Sequence, residues 1–202
     1  MKNFIMGIAM IMICSIFIVY QNDINHMQRE QQYIKQLAEE AAATSALYIE
    51  EGDNDSLTTF NYANGWIKFQ PNAGKKGFDI TKNNLKLDDE LKSEKAYYKN
   101  AFNITIYTFS CDKTYQKSVN GINTETGSFE VGDNISKFVD SNYSSILDKE
   151  PLSRQIHINY PTTICIIDAG KPNFRESLNL DLGDSRICKI GIYEYKSDTI
   201  IS

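Results

Sequence analysis

The first apolar run in the chain, Phe4 to Tyr20 ("FIMGIAMIMICSIFIVY"), carries no charge at any position. It lies at the short end of what crosses a ~30 Å hydrocarbon layer as a helix, with Gln21 and Asn22 placed to reach the interface. Past it the pattern turns from uniformly apolar to periodic. Tyr20, Ile24, Met27, Gln31, Ile34, Ala38, Ala41, Ser45 and Tyr48 step by three or four residues and share one stripe, while Arg29, Glu30, Lys35, Glu39 and Glu40 face elsewhere. Gly52 and the following "DNDS" supply a stop. The spacing predicts one helix from Phe4 to Glu51, about 48 residues or ~70 Å at ~1.5 Å per residue.

Beyond Gly52 the periodicity shortens. "LTTFNY", "WIKFQ" and "GFDIT" read as strands, with "PNAGKKG" as a turn-rich connection. Leu87, Leu91, Tyr98 and Phe102 recur at helical spacing in "LKLDDELKSEKAYYKNAF", predicting an amphipathic helix that runs into the strand "NITIYTF". "KSVNGINTETGSFEV" reads as a hairpin turning between Asn120 and Gly127. In "DNISKFVDSNYSSIL" a cap at Asp133 or Asn134 precedes Ile135, Phe138, Val139, Tyr143, Ile146 and Leu147 on one helical face. Two strand-like segments end the chain, "QIHINYPTTICIID" and "RICKIGIYEYK", separated by the polar loop "AGKPNFRESLNLDLGDS". The expected fold class is α+β: a long N-terminal helix, membrane span plus amphipathic extension, packed against an antiparallel β-sheet head with two or so further helices. The expected organisation is a tail over 1–3, a transmembrane helix over 4–20, a helical stalk over 21–52 and an α+β head over 53–202.

Composition and charge narrow the function classes. A net charge of -5 and a pI near 5.1, with lysines dispersed among acids, leave no footprint for nucleic acid. Lys2 gives a short positive region ahead of the apolar run, but no small-x-small cleavage site follows it, so an anchor is favoured over a removed signal. A lipoprotein site at Cys14 is disfavoured because Ile11, Met12 and Ile13 precede it. Asp23, Arg29, Glu30 and Lys35 sum to zero just beyond the span, so Lys2 tips the orientation to N-terminus cytoplasmic and head extracytoplasmic. Met1 to Asn3 leave no cytoplasmic domain for a self-sufficient sensor.

Chemistry is sparse. His26 and His157 have no partner at metal-ligand spacing; His157 reads as a solvent-facing strand residue and His26 as an interfacial one. "DNDSLTTF" lacks the glycine and closing glutamate of a calcium loop, "DLGDS" reads as a turn, and "NAGKKG" lacks the pattern of a phosphate loop. No nucleophile motif stands out. The expectation is a protein without catalytic, metal or cofactor-binding residues. Of the cysteines beyond the span, Cys165 and Cys188 can meet across a hairpin as a disulfide, leaving Cys111 free; the alternative is three buried thiols.

A single span near the N-terminus that continues into an Ala-rich helix, "QLAEEAAATSALYI", and then a mixed head resembles pilins and pseudopilins of the type IV filament superfamily, and most closely the TadE/TadG-like minor pseudopilins of tight-adherence systems. Gly7 lies inside the apolar run and no acidic residue precedes Asp23, a departure from the prepilin processing pattern. The resemblance implies an unprocessed, membrane-resident part in priming or assembling a surface pilus, secretion or conjugation-type apparatus. It also implies other apparatus subunits as partners, or self-association through the helix. The alternative is an anchored extracytoplasmic domain that binds a ligand or partner without catalysis. Independently of any family, Ala38, Ala42 and Ala46, with Ala41 and Ser45 adjacent, form a ladder of small residues that lets another element approach closely. Ile24, Met27, Ile34, Ala38, Ala41 and Ser45 are the interaction-face candidates. The ladder above Ala38 is expected to meet the protein's own sheet, and the stripe below it something else.

Overall fold

The computed structural model describes residues 2–49, 68–110, 112–139, 143, 157–173 and 186–195. Helix α1 runs unbroken over Lys2–Ala46. It is followed by α2 (Ala73–Leu85), β1 (Asn103–Phe109), β2 (Thr114–Val119), β3 (Ile122–Ser128), a 3-10 turn (Ile135–Lys137), β4 (Thr162–Gly170) and β5 (Ile187–Glu194). Among the described residues the strands make one antiparallel sheet ordered β3-β2-β1-β4-β5. The fold class is therefore α+β, a long N-terminal helix laid on an antiparallel sheet.

Alternation along the strands builds two cores. Ile104 and Ile106 of β1, Cys165 and Ile167 of β4 and Ile187 of β5 face α1 and α2, joining Ile34, Leu37, Ala38 and Ala41. The intervening residues, Tyr107 and Phe109, Ile164 and Ile166, and Cys188, face the opposite side, where Phe129, Ile135, Val139, Tyr143 and Ile158 cover them. Both faces of β1 and β4 are thus buried, and each enclosed isoleucine contributes roughly 1.5–3 kcal/mol of transfer free energy. Helix α1 lies over β4 and β5, and α2 lies beside it over β1 and β2. Gly191 meets Ala38 and Tyr195 bonds Ala46, so β5 runs in the same direction as α1. Thr162 and Thr163 at the start of β4 lie at the end of the head remote from the apolar part of α1, and Gly170 at its near end.

Several expected elements differ. Pro71 and Asn72 form a turn, but the rest of "PNAGKKG" and all of "GFDIT" belong to α2, which closes in a Schellman arrangement: Leu87 N donates to Lys82 O and Lys86 N to Asn83 O, with Lys86 at φ 49°. Conversely, 87–102 is not a helix. Asp88 Oδ1 accepts from the amides of Glu90 and Lys92, each at 2.9 Å, and Leu91 sits at φ 59°, so the acidic side chain folds the backbone into a turn. In "DNISKFVDSNYSSIL" the described part forms the 3-10 turn, with Asn134 accepting from Ser136 N as its cap. "LTTFNY", Trp66 and Ile67 of "WIKFQ", Glu50 to Gly52, Cys111 and most of the loop before β5 lie outside the described residues; within "WIKFQ", Phe69 makes an isolated antiparallel bridge to Ile49.

Candidate functional site

Helix α1 is divided by what touches it. Phe4, Met6, Met10, Ile11, Phe17 and their neighbours up to Val19 stand exposed, and this one helix is long and apolar enough to cross a membrane. Its last turns are the opposite: Ile34, Ala38, Ala41, Ala42 and Ser45 are fully buried. The same unbroken helix is therefore bare at one end and part of the head's core at the other. From Tyr20 to Ile34 the axis rises ~21 Å at ~1.5 Å per residue.

The small ladder is explained by what lies opposite it. A Cβ built on Gly191 would fall 2.1 Å from the carbonyl carbon of Ala38 and 2.2 Å from Glu39 N, so β5 meets the helix backbone to backbone. A Cβ on Gly77 would fall 2.7 Å from Ala41 O and 2.1 Å from Ser45 Oγ, so α2 crosses α1 just as closely. Hydrogen bonds fasten the same turns. Thr163 Oγ1 donates to Ala42 O at 2.6 Å, Tyr195 Oη donates to Ala46 O, and Ser45 Oγ donates back to Ala41 O at 2.9 Å. The Tyr195 bond satisfies a carbonyl of the last helical turn from outside the helix, as the helix end requires, and the Thr163 bond adds a second donor to a carbonyl one turn earlier.

Four of the interaction-face candidates, Ile34, Ala38, Ala41 and Ser45, are thus committed to the protein's own head and present no face to another subunit. Ile24 and Met27 are half-buried on the stalk below. Even there the turn region 87–102 reaches down the helix. Tyr97 stacks on His26 with ring centroids 4.6 Å apart, Tyr98 Oη donates to Glu30, and Lys95 Nζ lies 3.8 Å from Glu30 and 4.3 Å from the centre of the Tyr33 ring. Burial first, and then the bond to Glu30, drive the Tyr98 phenol well above its ordinary pKa. Gly77, Gly191, Thr163, Tyr195 and Tyr98 escaped the sequence reading. Gly191 alone left a signal, a glycine inside the alternation "KIGIY", where a missing side chain marks a close backbone approach.

The proposed disulfide is not made. Cys165 and Cys188 are not bonded to each other and lie on opposite faces of the sheet, Cys165 under the helices and Cys188 in the other core. Cys165 pairs with Gly191 across the ladder and Cys188 with Asp168, which places the cysteines in different rows. Burial pushes the Cys165 thiol well above its ordinary pKa, so it behaves as a small apolar side chain.

A polar cluster closes the near end of the sheet. Arg186 donates through Nε to Asp168 Oδ1 at 3.0 Å and through its terminal nitrogen to Oδ2, a bidentate pair joining the end of β4 to the residue before β5. Asn103 Nδ2 donates to Tyr143 Oη at 2.7 Å, and the Arg186 guanidinium lies 5.8 Å from the Tyr143 ring centre. These contacts pin strand ends. His157 is exposed, its Nδ1 2.8 Å from Gly132 O, and among the described residues no three ligating side chains gather around a metal position.

Comparison with protein-family models, curated proteins and solved structures finds no match to this chain.

Proposed function

We propose that the protein is a membrane-anchored, pseudopilin-like structural or assembly component of a surface pilus, secretion or conjugation-type apparatus, with its N-terminus cytoplasmic and its head outside. The observation that carries this reading is the single helix shared between a bare apolar half and a head core. A flexible tether lets a domain sample many orientations. A continuous helix locked by Gly191, Gly77, Thr163 and Tyr195 transmits position from the membrane to the head as a rigid body. That is what a subunit stacked through its helix needs, and what a ligand-capturing domain on a tether does not. With Ile34, Ala38, Ala41 and Ser45 enclosed, the free stretch for a partner is the lipid-facing run together with the stalk around Ile24 and Met27.

The test is crosslinking in membranes. Single cysteines at Val19, Ile24 and Met27, in a chain whose native cysteines are replaced by serine or alanine, are expected to crosslink to a second copy or to another apparatus subunit. A cysteine at Ala41 is expected to stay unreacted. If none of the three lower positions crosslinks to any protein while the head remains folded, the assembly role is lost. Protection of the head from protease in intact spheroplasts would overturn the orientation.

A further inference from the structure

Among the described residues, the part of the head that comes nearest the apolar run of α1 is not the sheet but a foot made of two segments, 95–100 and 171–173. Pro172 bridges to Tyr98, Asn173 N donates to Tyr97 O at 2.8 Å, and Asn173 Nδ2 donates to Ala96 O at 3.0 Å. The chain leaving β4 therefore splints the turn. Tyr97, buried, carries the foot down to His26, with ring centroids 4.6 Å apart. His26 lies six residues beyond Tyr20, about 9 Å of axial rise at ~1.5 Å per residue. The headgroup layer outside a ~30 Å hydrocarbon core is roughly 5–7 Å deep. With Tyr20 at the hydrocarbon boundary, the Tyr97 ring is thus roughly 2–4 Å beyond that layer, a gap that the flexible four-carbon stem of a lysine closes.

The charges at this level have one sign, in a chain whose net charge is -5. Segments 95–100 and 171–173 carry Lys95, Lys99 and Lys171, all exposed, and no carboxylate. On the helix beside them Glu30 is held by Tyr98 and Lys95, and the half-buried Asp23 is offset by the exposed Arg29. The acids that precede the foot in sequence serve the turn above it. Asp88 folds the backbone, while Lys82 takes Asp89 and Lys92 takes Glu90. Lysines clustered just outside a membrane span are drawn to headgroup phosphates and anionic lipid, an attraction that fades within a Debye length of the surface. The foot stands inside that distance, and α1, which runs unbroken from the apolar run into the head, keeps it there.

We infer that this foot is a docking surface for the headgroup phosphates of the bilayer that α1 enters, so that the head stands on the membrane instead of being held clear of it. Lys99 and Lys171 are the contacting side chains, and the stack of Tyr97 on His26 sets their height. The inference rests on α1 being a membrane anchor and stands apart from the assembly role.

The experiment places single spin labels on the full chain, its native cysteines replaced by serine or alanine, in nanodiscs of mixed phosphatidylcholine and phosphatidylglycerol that contain a nickel-chelating headgroup lipid. A label at the exposed Ala96 is expected to relax roughly threefold faster than in nanodiscs without nickel, while one at Leu47, ~40 Å along the helix from Tyr20, is unaffected. Lys99→Gln and Lys171→Gln together should remove about half of the enhancement with the urea unfolding midpoint kept. Lys171→Gln alone should act in the same direction, which keeps the readout should the pair disturb the fold. A label at Phe17 reports the anchor separately, through its access to oxygen and not to water-soluble nickel. No enhancement at Ala96 with Phe17 inserted, or an enhancement that the lysine variants leave unchanged, overturns the docking surface and leaves the anchor standing. Access of water-soluble nickel to Phe17 overturns the anchor itself.

Discussion

The backbone of Gly191 lies directly against the backbone of Ala38, so close that a single methyl group on Gly191 would fall 2.1 Å from the Ala38 carbonyl carbon. Because the obstruction is main chain, no side chain can rotate away from it. Gly191→Ala is therefore expected to destabilise the head by about 3 kcal/mol, at the upper end of the usual range for overpacking. Ala38→Gly in the same chain should not restore stability, since it removes none of the obstructing atoms. Urea unfolding of the two variants checks both statements.

The pair Arg186–Asp168 predicts a different signature. Asp168 is 8% exposed, and removing its partner leaves a carboxylate with little water around it. Breaking a buried pair typically costs ~3–5 kcal/mol, but the Arg186 side chain is 35% exposed, so Arg186→Ala should cost about 2 kcal/mol. Arg186→Lys keeps the charge and loses the two-pronged geometry, and its urea midpoint should fall between those of the parent and the alanine variant.

Alkali should loosen the head before it affects the exposed apolar part of α1. The Tyr115 phenol is pushed up to about 12, chiefly by its bond to Glu125, and the Tyr195 phenol to about 12, chiefly by burial. A raised phenol holds its proton more tightly folded than unfolded. The stabilisation is complete below the ordinary value of 10.0 and disappears as pH climbs through about 12. Urea midpoints measured from pH 9 to 12 should drop steeply, and the drop should be shallower in Tyr115→Phe/Tyr195→Phe.

Removing the Tyr98 hydroxyl separates the turn region 87–102 from the stalk. Its bond to Glu30 is charge-assisted and largely shielded, so Tyr98→Phe should cost about 1–2 kcal/mol. Amide exchange of Tyr97 to Phe102 should quicken while β4 is unaffected; uniform quickening throughout the head would contradict a local brace.

Much of the architecture was legible in periodicity. The strand "NITIYTF" coincides with β1, the hairpin turns at Asn120 and Gly121, and the long helix ends at Ala46, a few residues before its expected stop. The errors share a cause, since local preference lost to tertiary contact. Gly74, Gly77, Ile80 and Thr81 argue against a helix on propensity, yet α2 forms there because a glycine is what fits beside Ser118, and another beside Ala41. Leu87, Tyr98 and Phe102, with Leu91 partly buried beside them, have helical spacing but are packed by a chain that Asp88 folds into turns. The ladder of alanines was visible, but which surface it met depended on Gly191, more than a hundred residues away. Strand register, also invisible locally, is what sets Cys165 and Cys188 on opposite faces.

The account rests on α1 being one rigid rod from the membrane to the head. Gln21 and Glu39, both exposed, are separated by five helical turns on the same side, an axial distance of ~27 Å at ~1.5 Å per residue. Spin labels at these two positions in nanodiscs, measured by double electron–electron resonance, are predicted to give one narrow distribution near that value. A broad or two-peaked distribution would place a hinge in the stalk and contradict the account.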